Sequence, residues 1–269
     1  TSGDDNTVIG SEAGTALTTG GKNTLIGRRA GYTDATGNGN TGVGYNVLHN
    51  ATGGNVGNTA LGRQAGEAIN SGKYNVVLGY QAGNNITSGD GNIVIGNADV
   101  SSATGDDQLS ISDGEDGSVV WMTGDSSANL QFNGTLTVGV DDTGKDVKLF
   151  GASAGAYMEW DESIDTLRIV GASADATTST GKLLLATSLT DINANDVIGK
   201  IDFQAPHEAG GTDAITVAAS IQALAQATFS SSVNATDLIF YTGHSEAATE
   251  KFRFTSQGEI GIGGNNVGN

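Results

Sequence analysis

Residues 23–31 read NTLIGRRAG; residues 6–14 read NTVIGSEAG, and residues 40–48 read NTGVGYNVL. Aligned on the first Asn, the phrase occurs six times, beginning at Asn6, Asn23, Asn40, Asn58, Asn75 and Asn92, in steps of 17, 17, 18, 17 and 17 residues. A fixed period near this length marks a solenoid, in which each repeat is one layer that cannot bury its apolar face alone.

Each column has its own chemistry. The second holds Thr7, Thr24, Thr41, Thr59, Val76 and Ile93, all β-branched strand formers. The fourth is aliphatic throughout: Ile9, Ile26, Val43, Leu61, Leu78 and Ile95. The fifth is always Gly, where a corner with positive φ or a close backbone approach needs no Cβ. These columns predict a short strand, a Gly corner, a second short extended piece ending in Ala-Gly, and a polar loop. Stacked Asn residues predict an amide ladder, and the fourth column predicts the inner ridge. The third column, with Val8, Leu25, Gly42, Ala60, Val77 and Val94, is mostly apolar too. Neighbouring strand residues face opposite sides. Two adjacent apolar columns therefore predict that both faces are covered, the third by another chain.

The composition fits many short strands. There are 42 Gly, one Pro (Pro206) and no Cys in 269 residues, with 6% aromatic and 16% charged side chains. Gly at this level without a three-residue period excludes collagen. No Cys means no disulfide framework and no thiolate metal site. No apolar run approaches the ~20 residues needed to span a bilayer as a helix. The net charge of −18 is uneven: −2 over residues 1–100, −11 over 101–180 and −5 over 181–269. Such a polyanion repels nucleic acid and anionic membranes; neither nucleic-acid binding nor membrane insertion is expected.

The periodicity stops near Val100, which predicts a repeat stem over residues 1–103, an acidic short-strand segment over 104–180 and a C-terminal β segment over 181–269. Strands are expected around Leu109–Ile111, Val119–Met122, Leu130–Phe132, Leu136–Val138, Val147–Phe150, Tyr157–Trp160 and Leu167–Val170. Later ones are expected in KLLLAT, IGKIDFQA, LIFYTG, KFRFTSQG and EIGIGG. Residues 215–229 allow a helix by Ala and Gln content. The alternation of Ile221, Ala223, Ala225, Ala227 and Phe229 predicts a strand instead.

Several segments resemble known fibre proteins. The NTxIGxxAG units are similar to those in the heads of trimeric autotransporter adhesins and in bacteriophage tail fibres. DVKLFGASAGAYMEWDESIDTLRI resembles a segment of marine and freshwater phage fibres, and KFRFTSQGEIGIGG the end of a fibre shaft. The resemblance implies an all-β, elongated, parallel homotrimer: a β-roll or β-helical stem, then a β-prism or triple β-helix shaft. It implies a structural, adhesive role on a virion tail, outside the cell. The partners would be other copies of the chain, other tail proteins and a host-surface glycan or protein. A bacterial surface adhesin or filament shares the repeat and is the alternative; a polysaccharide-cleaving spike is a second.

Catalytic signals are sparse, and no enzyme is expected. Asp161, Glu162 and Asp165 in WDESID are candidate paired carboxylates for glycoside cleavage, against a simpler role as a polar turn. Asp106-Asp107, Asp113/Glu115/Asp116 and Asp141-Asp142 do not match a spaced calcium loop. His49, His207 and His244 lack metal-site spacing. His207 with Glu208 and His244 with Glu246 are the candidate binding pairs, and no cofactor is expected. Tyr32, Tyr45, Tyr74 and Tyr80 are candidate glycan contacts, with Tyr45 and Tyr80 in one column; packing across strands or between chains is the simpler role.

Overall fold

A computed structural model describes residues 3–204, 216–244 and 247–263. Strand is the only regular secondary structure among them. The chain divides into two compact units, Thr1–Val138 and Gly139–Asn269.

The first unit contains a β-solenoid-like stack of about six turns with the seventeen-residue period. Its strands are β1 (Thr7–Ile9), β2 (Thr24–Ile26), β3 (Thr41–Val43), β4 (Thr59–Leu61), β5 (Val76–Leu78) and β6 (Ile93–Ile95). They pair in parallel with identical columns opposite each other, Thr24 beside Thr41 and Ile26 beside Val43. The stack passes the expected end of the repeat. β7 (Leu109–Ser112) joins β6 in parallel, and β8 (Val120–Gly124) and β9 (Leu130–Phe132) extend the sheet antiparallel.

Each of β1–β6 ends at a glycine that only glycine can occupy. Gly27 has φ 133°, and a Cβ there would collide with the carbonyl of Gly44 in the next coil. The leg that follows is not the extended piece expected from sequence. It is a run of turns with left-handed residues two apart, such as Arg29 (φ 59°) and Gly31 (φ 57°). This tight path still satisfies its backbone from coil to coil, with Gly31 N–H donating to Val47 O at 3.0 Å.

The Asn ladder runs through the interior. Asn75 Nδ2 donates to Asn58 Oδ1 (3.0 Å) and Gly89 O (2.9 Å), while Asn75 Oδ1 accepts from the backbone N–H (2.9 Å) and Nδ2 (3.0 Å) of Asn92. Asn23, Asn40, Asn58, Asn75 and Asn92 are all fully buried. Gln108 takes the same place over Asn92, its N–H and Nε2 donating to Asn92 Oδ1 at 2.9 and 3.0 Å. An amide one methylene longer thus continues the ladder into β7.

The expected inner ridge is reversed. Leu25, Ala60, Val77 and Val94 of the third column form the core, packed with Ala30, Val47, Ala65 and Ala82 of the turn leg. The fourth column faces outward: Ile9 is 58% exposed, Leu61 53% and Ile95 39%. Ile26, Val43 and Leu78 are half-buried. Columns two and four share a face, as do columns one and three. Turning column four inward would bury the hydroxyls of Thr7, Thr24, Thr41 and Thr59 and drive the Asn amides out of their ladder.

The third coil breaks the pattern twice and repairs it. Gly42 stands where other coils have an aliphatic residue, and Leu48 stands where Gly14, Gly31, Gly66 and Gly83 stand. Leu48 adopts φ 48° and is fully buried, its side chain filling the space beside Gly42. Core volume is conserved by exchanging the two residue sizes across one coil.

The long step between Asn40 and Asn58 has its own fitting. Asp34 lies in the column otherwise held by Leu17, Ala51, Ile69 and Ile86, and is buried. It accepts hydrogen bonds from Gly37 N–H (2.7 Å), Asn55 Nδ2 (3.4 Å) and Asn40 Nδ2 (3.5 Å). Burial raises its carboxyl above the ordinary Asp range, against the opposing effect of these donors.

The second unit contains two antiparallel meanders. One comprises β10 (Val147–Phe150), β11 (Tyr157–Asp161) and β12 (Thr166–Val170). The other comprises β13 (Val197–Gln204), β14 (Val217–Ala225), β15 (Thr236–Thr242), β16 (Thr249–Phe254) and β17 (Ile260–Ile262). β14 realises the strand expected at 215–229 over Val217–Ala225; Ala227 and Phe229 lie past its end and Ile215 lies outside the described residues. Phe240, Phe252 and Phe254 meet edge to face. Arg253 joins β15 to β16 by bonding Asp237 Oδ2 (2.6 Å) and both carboxylate oxygens of Glu250 (2.8 and 2.7 Å). Two expected strands are absent. Leu136–Val138 and the KLLLAT stretch form no strand, and Leu184 is 85% exposed.

Candidate functional site

The most ordered array of polar and aromatic groups on the first unit lies in the column after the Gly corner. It reads Ser11, Arg28, Tyr45, Arg63, Tyr80 and Asn97. In-register pairing of the preceding strands brings these residues one above another. The guanidinium of Arg28 lies 5.6 Å from the Tyr45 ring centroid, and that of Arg63 lies 5.7 Å from Tyr45 and 5.4 Å from Tyr80. Arg63 Nη1 also donates to Tyr80 Oη at 3.4 Å. Alternation matters here, because a cation over an aromatic face is attracted whereas stacked guanidiniums repel. A second short stack lies on the turn leg: Arg29, paired with Glu12, sits 5.4 Å from the Tyr32 ring, and Tyr32 stacks on His49 with centroids 5.2 Å apart.

Of the five arginines, Arg29, Arg168 and Arg253 each pair with carboxylates. Arg28 and Arg63 form no salt bridge among the described residues, although Arg28 helps to lower the Glu12 carboxyl. Beyond Tyr80 the ladder opens on a pocket of about 440 Å³ lined by Gln81, Asn84, Asn97 and the carboxylates Asp99, Glu115 and Asp116.

The other sequence candidates scatter. Tyr74 is exposed and stands outside the ladder. His207, Glu208 and Glu246 lie outside the described residues; His244 is exposed. Asp113 serves its turn, accepting backbone N–H groups from Glu115, Asp116, Gly117 and Val119, and those bonds hold its carboxyl below the usual range. Among the described residues no three His, Asp or Glu side chains are placed to hold a metal ion. Asp161 is occupied by Ser163 and Arg168. Glu162 and Asp165, however, meet Asp141 and Asp142 beside Trp160 in a cleft of about 470 Å³. Two acidic clusters distant in sequence thus share one place.

The missed feature is Arg63. Arg28 alone has the look of a solvated surface charge; Arg63, standing between two tyrosines in the same column, makes it part of a series. No helix among the described residues is long and apolar enough to cross a membrane. A scan against protein-family models finds no match to the chain, and a search of curated proteins finds none.

Proposed function

We propose that the chain is a structural, adhesive fibre subunit, most consistent with a phage tail fibre that attaches the virion to its host surface. It would work as a parallel homotrimer whose partners are its own copies, neighbouring tail proteins and a host glycan or protein. The observation carrying this reading is the outward face of β1–β6, where the fourth column is apolar from Ile9 to Ile95 and is joined by Val76 and Ile93 of the second. A strand face of this kind is ordinarily polar on a soluble monomer, and a continuous apolar one marks an interaction surface. The interchain contact expected from sequence is therefore retained with the two faces exchanged: column three closes the coil and column four meets the neighbour. Phage origin rests on the resemblance of residues 146–169 and 251–264 to fibre segments. Three weak sites on one trimer would attach by avidity.

Native mass spectrometry gives the first test. A trimer is expected, and a stable monomer at micromolar concentration overturns the assembly. Antibody raised against the chain should label virion tails in electron micrographs; labelling of bacterial surfaces alone would assign the chain to a cellular adhesin.

The cleft at Trp160 supports a second reading, cleavage of a surface polysaccharide. Carboxylates around an exposed aromatic ring suit glycoside hydrolysis. Release of reducing ends from envelope polysaccharide, abolished by Glu162→Gln, would establish it. No release by the wild-type trimer would remove it.

A further inference from the structure

We propose that the Arg28–Tyr45–Arg63–Tyr80 ladder is a binding track for a linear acidic polysaccharide carrying one anionic group on alternate sugars. This rests on the adhesive reading above and supplies the ligand class.

The ladder holds cations that the fold leaves unneutralised. In a chain of net charge −18, every other arginine forms a salt bridge, yet Arg28 and Arg63 are exposed, lie over tyrosine rings and form none among the described residues; Glu12, bridged to Arg29, acts on Arg28 only through its field. A guanidinium lying over a ring keeps most of its five in-plane donors for an anion. The ring contacts also restrict the long side chain, so less freedom is lost when a ligand binds. Carboxylate and sulfate are the anions that a guanidinium fork matches with two parallel bonds.

Spacing selects the polymer. Adjacent rungs are about 4.7–4.9 Å apart, the separation of paired strands. That is close to the advance of one sugar along an extended glycan. Successive arginines are two coils apart, about the length of one disaccharide. A chain lying along the stack would place an acid on Arg28, the carbon face of the next sugar by Tyr45, an acid on Arg63 and a sugar face by Tyr80. The pocket beyond, with amides from Gln81, Asn84 and Asn97, suits the hydroxyls of a terminal neutral sugar. Its carboxylates Asp99, Glu115 and Asp116 disfavour an acid there, which sets the direction of the chain.

The test is calorimetric titration of the full chain with size-defined oligosaccharides of hyaluronan, chondroitin sulfate and polygalacturonate, with dextran as the neutral control. Hyaluronan, with one carboxylate on alternate sugars, should bind, more weakly as salt rises, and dextran should not; tighter binding of polygalacturonate, charged on every sugar, would overturn the alternate-sugar spacing. Arg28→Gln with Arg63→Gln should weaken binding by about a hundredfold, roughly tenfold per charge-assisted contact, with oligomeric state unchanged. Equal binding of a single-stranded DNA oligonucleotide would overturn the glycan assignment. Loss of assembly in the double variant would make the ladder an interchain contact and overturn the proposal. So would undiminished binding in that variant, or no binding of any acidic glycan by the wild type. Binding of the wild type to a panel of bacterial envelope preparations separates the two claims. Retention on envelopes without affinity for acidic glycans removes the track and keeps the adhesive role; no retention anywhere removes both.

Discussion

The two units draw on similar apolar residues and dispose of them differently. In the stack, Leu25, Leu48, Ile69, Val77, Ile86 and Val94 are all fully buried. In Gly139–Asn269, Ala225 and Ile239 are the only apolar side chains fully covered among the described residues, while Phe150, Leu183, Leu184 and Ile262 are exposed. A coil brings its own turn leg over its strand and so encloses an interior. A meander of three or five strands has two faces, and burying either needs a second layer. Closure of the path, more than hydrophobic content, decides which region holds its core within a single chain. On the trimer reading, the second unit depends on neighbours for what the first supplies internally.

The sharpest way to break this contrast uses adjacent residues. Leu25→Asp places a charge in the closed interior and should cost at least ~4 kcal/mol, abolishing hydrogen-exchange protection across the coils. Ile26→Asp puts the same charge on the outer face; the coils should stay protected while sedimentation shows loss of assembly. Equal loss of protection in both variants would refute the assignment of faces. Next in size is the third coil. Leu48→Gly should cost about 2–4 kcal/mol in denaturant melts as a cavity forms. Gly42→Leu alone should cost ~1–3 kcal/mol by overfilling. Together they restore the pattern of neighbouring coils, so the double variant should be at least ~1 kcal/mol more stable than the sum implies; strict additivity would deny the compensation. Third, dilution should loosen the second unit first. Each tenfold drop in concentration removes ~1.4 kcal/mol per association step. Exchange in β13–β17 should therefore depend on concentration, with the stack interior unaffected.

The smallest effect is in pH. Asp34 has a raised carboxyl in the folded state, so the stability linked to its protonation is present below the unfolded Asp range and lost as pH rises through the folded value. Asp113 has a lowered carboxyl, so its contribution is present above the unfolded range and lost as pH falls through the folded value. Carboxyl carbon NMR should find Asp34 titrating above, and Asp113 below, an exposed Asp. The reverse order would contradict the burial of Asp34.

Much of the stack was legible in sequence, because period, Gly corners and Asn columns each state a backbone requirement. Which strand face lies inside was also written there, less directly. Columns three and four are equally apolar and cannot rank themselves. The deciding signals were their neighbours: Asn in column one and Thr in column two. A third was the exchange of Gly42 with Leu48, which makes sense only for residues sharing one interior. Gln108 hid the next layer because it keeps the amide but changes the residue name. KLLLAT misled for the opposite reason, since a strand-like composition cannot form a ladder without a partner strand. The candidate site was half visible: Tyr45 and Tyr80 share a column on inspection. Their relation to Arg28 and Arg63 emerges only when the strands are in register.

The amide ladder also has a direction. Every Asn accepts from the following layer through the same oxygen, so the top of each coil presents one pattern and the bottom its complement. For the amide ladder alone, one coil can sit on another. Removing residues 75–91 would seat Asn92 on Asn58 with the surfaces that Asn75 and Asn58 share now. A gene built this way can lengthen or shorten its product by whole repeats, through unequal recombination between repeated stretches, without redesigning the amide ladder that joins the layers. Length becomes a heritable variable that evolution can adjust independently of the fold.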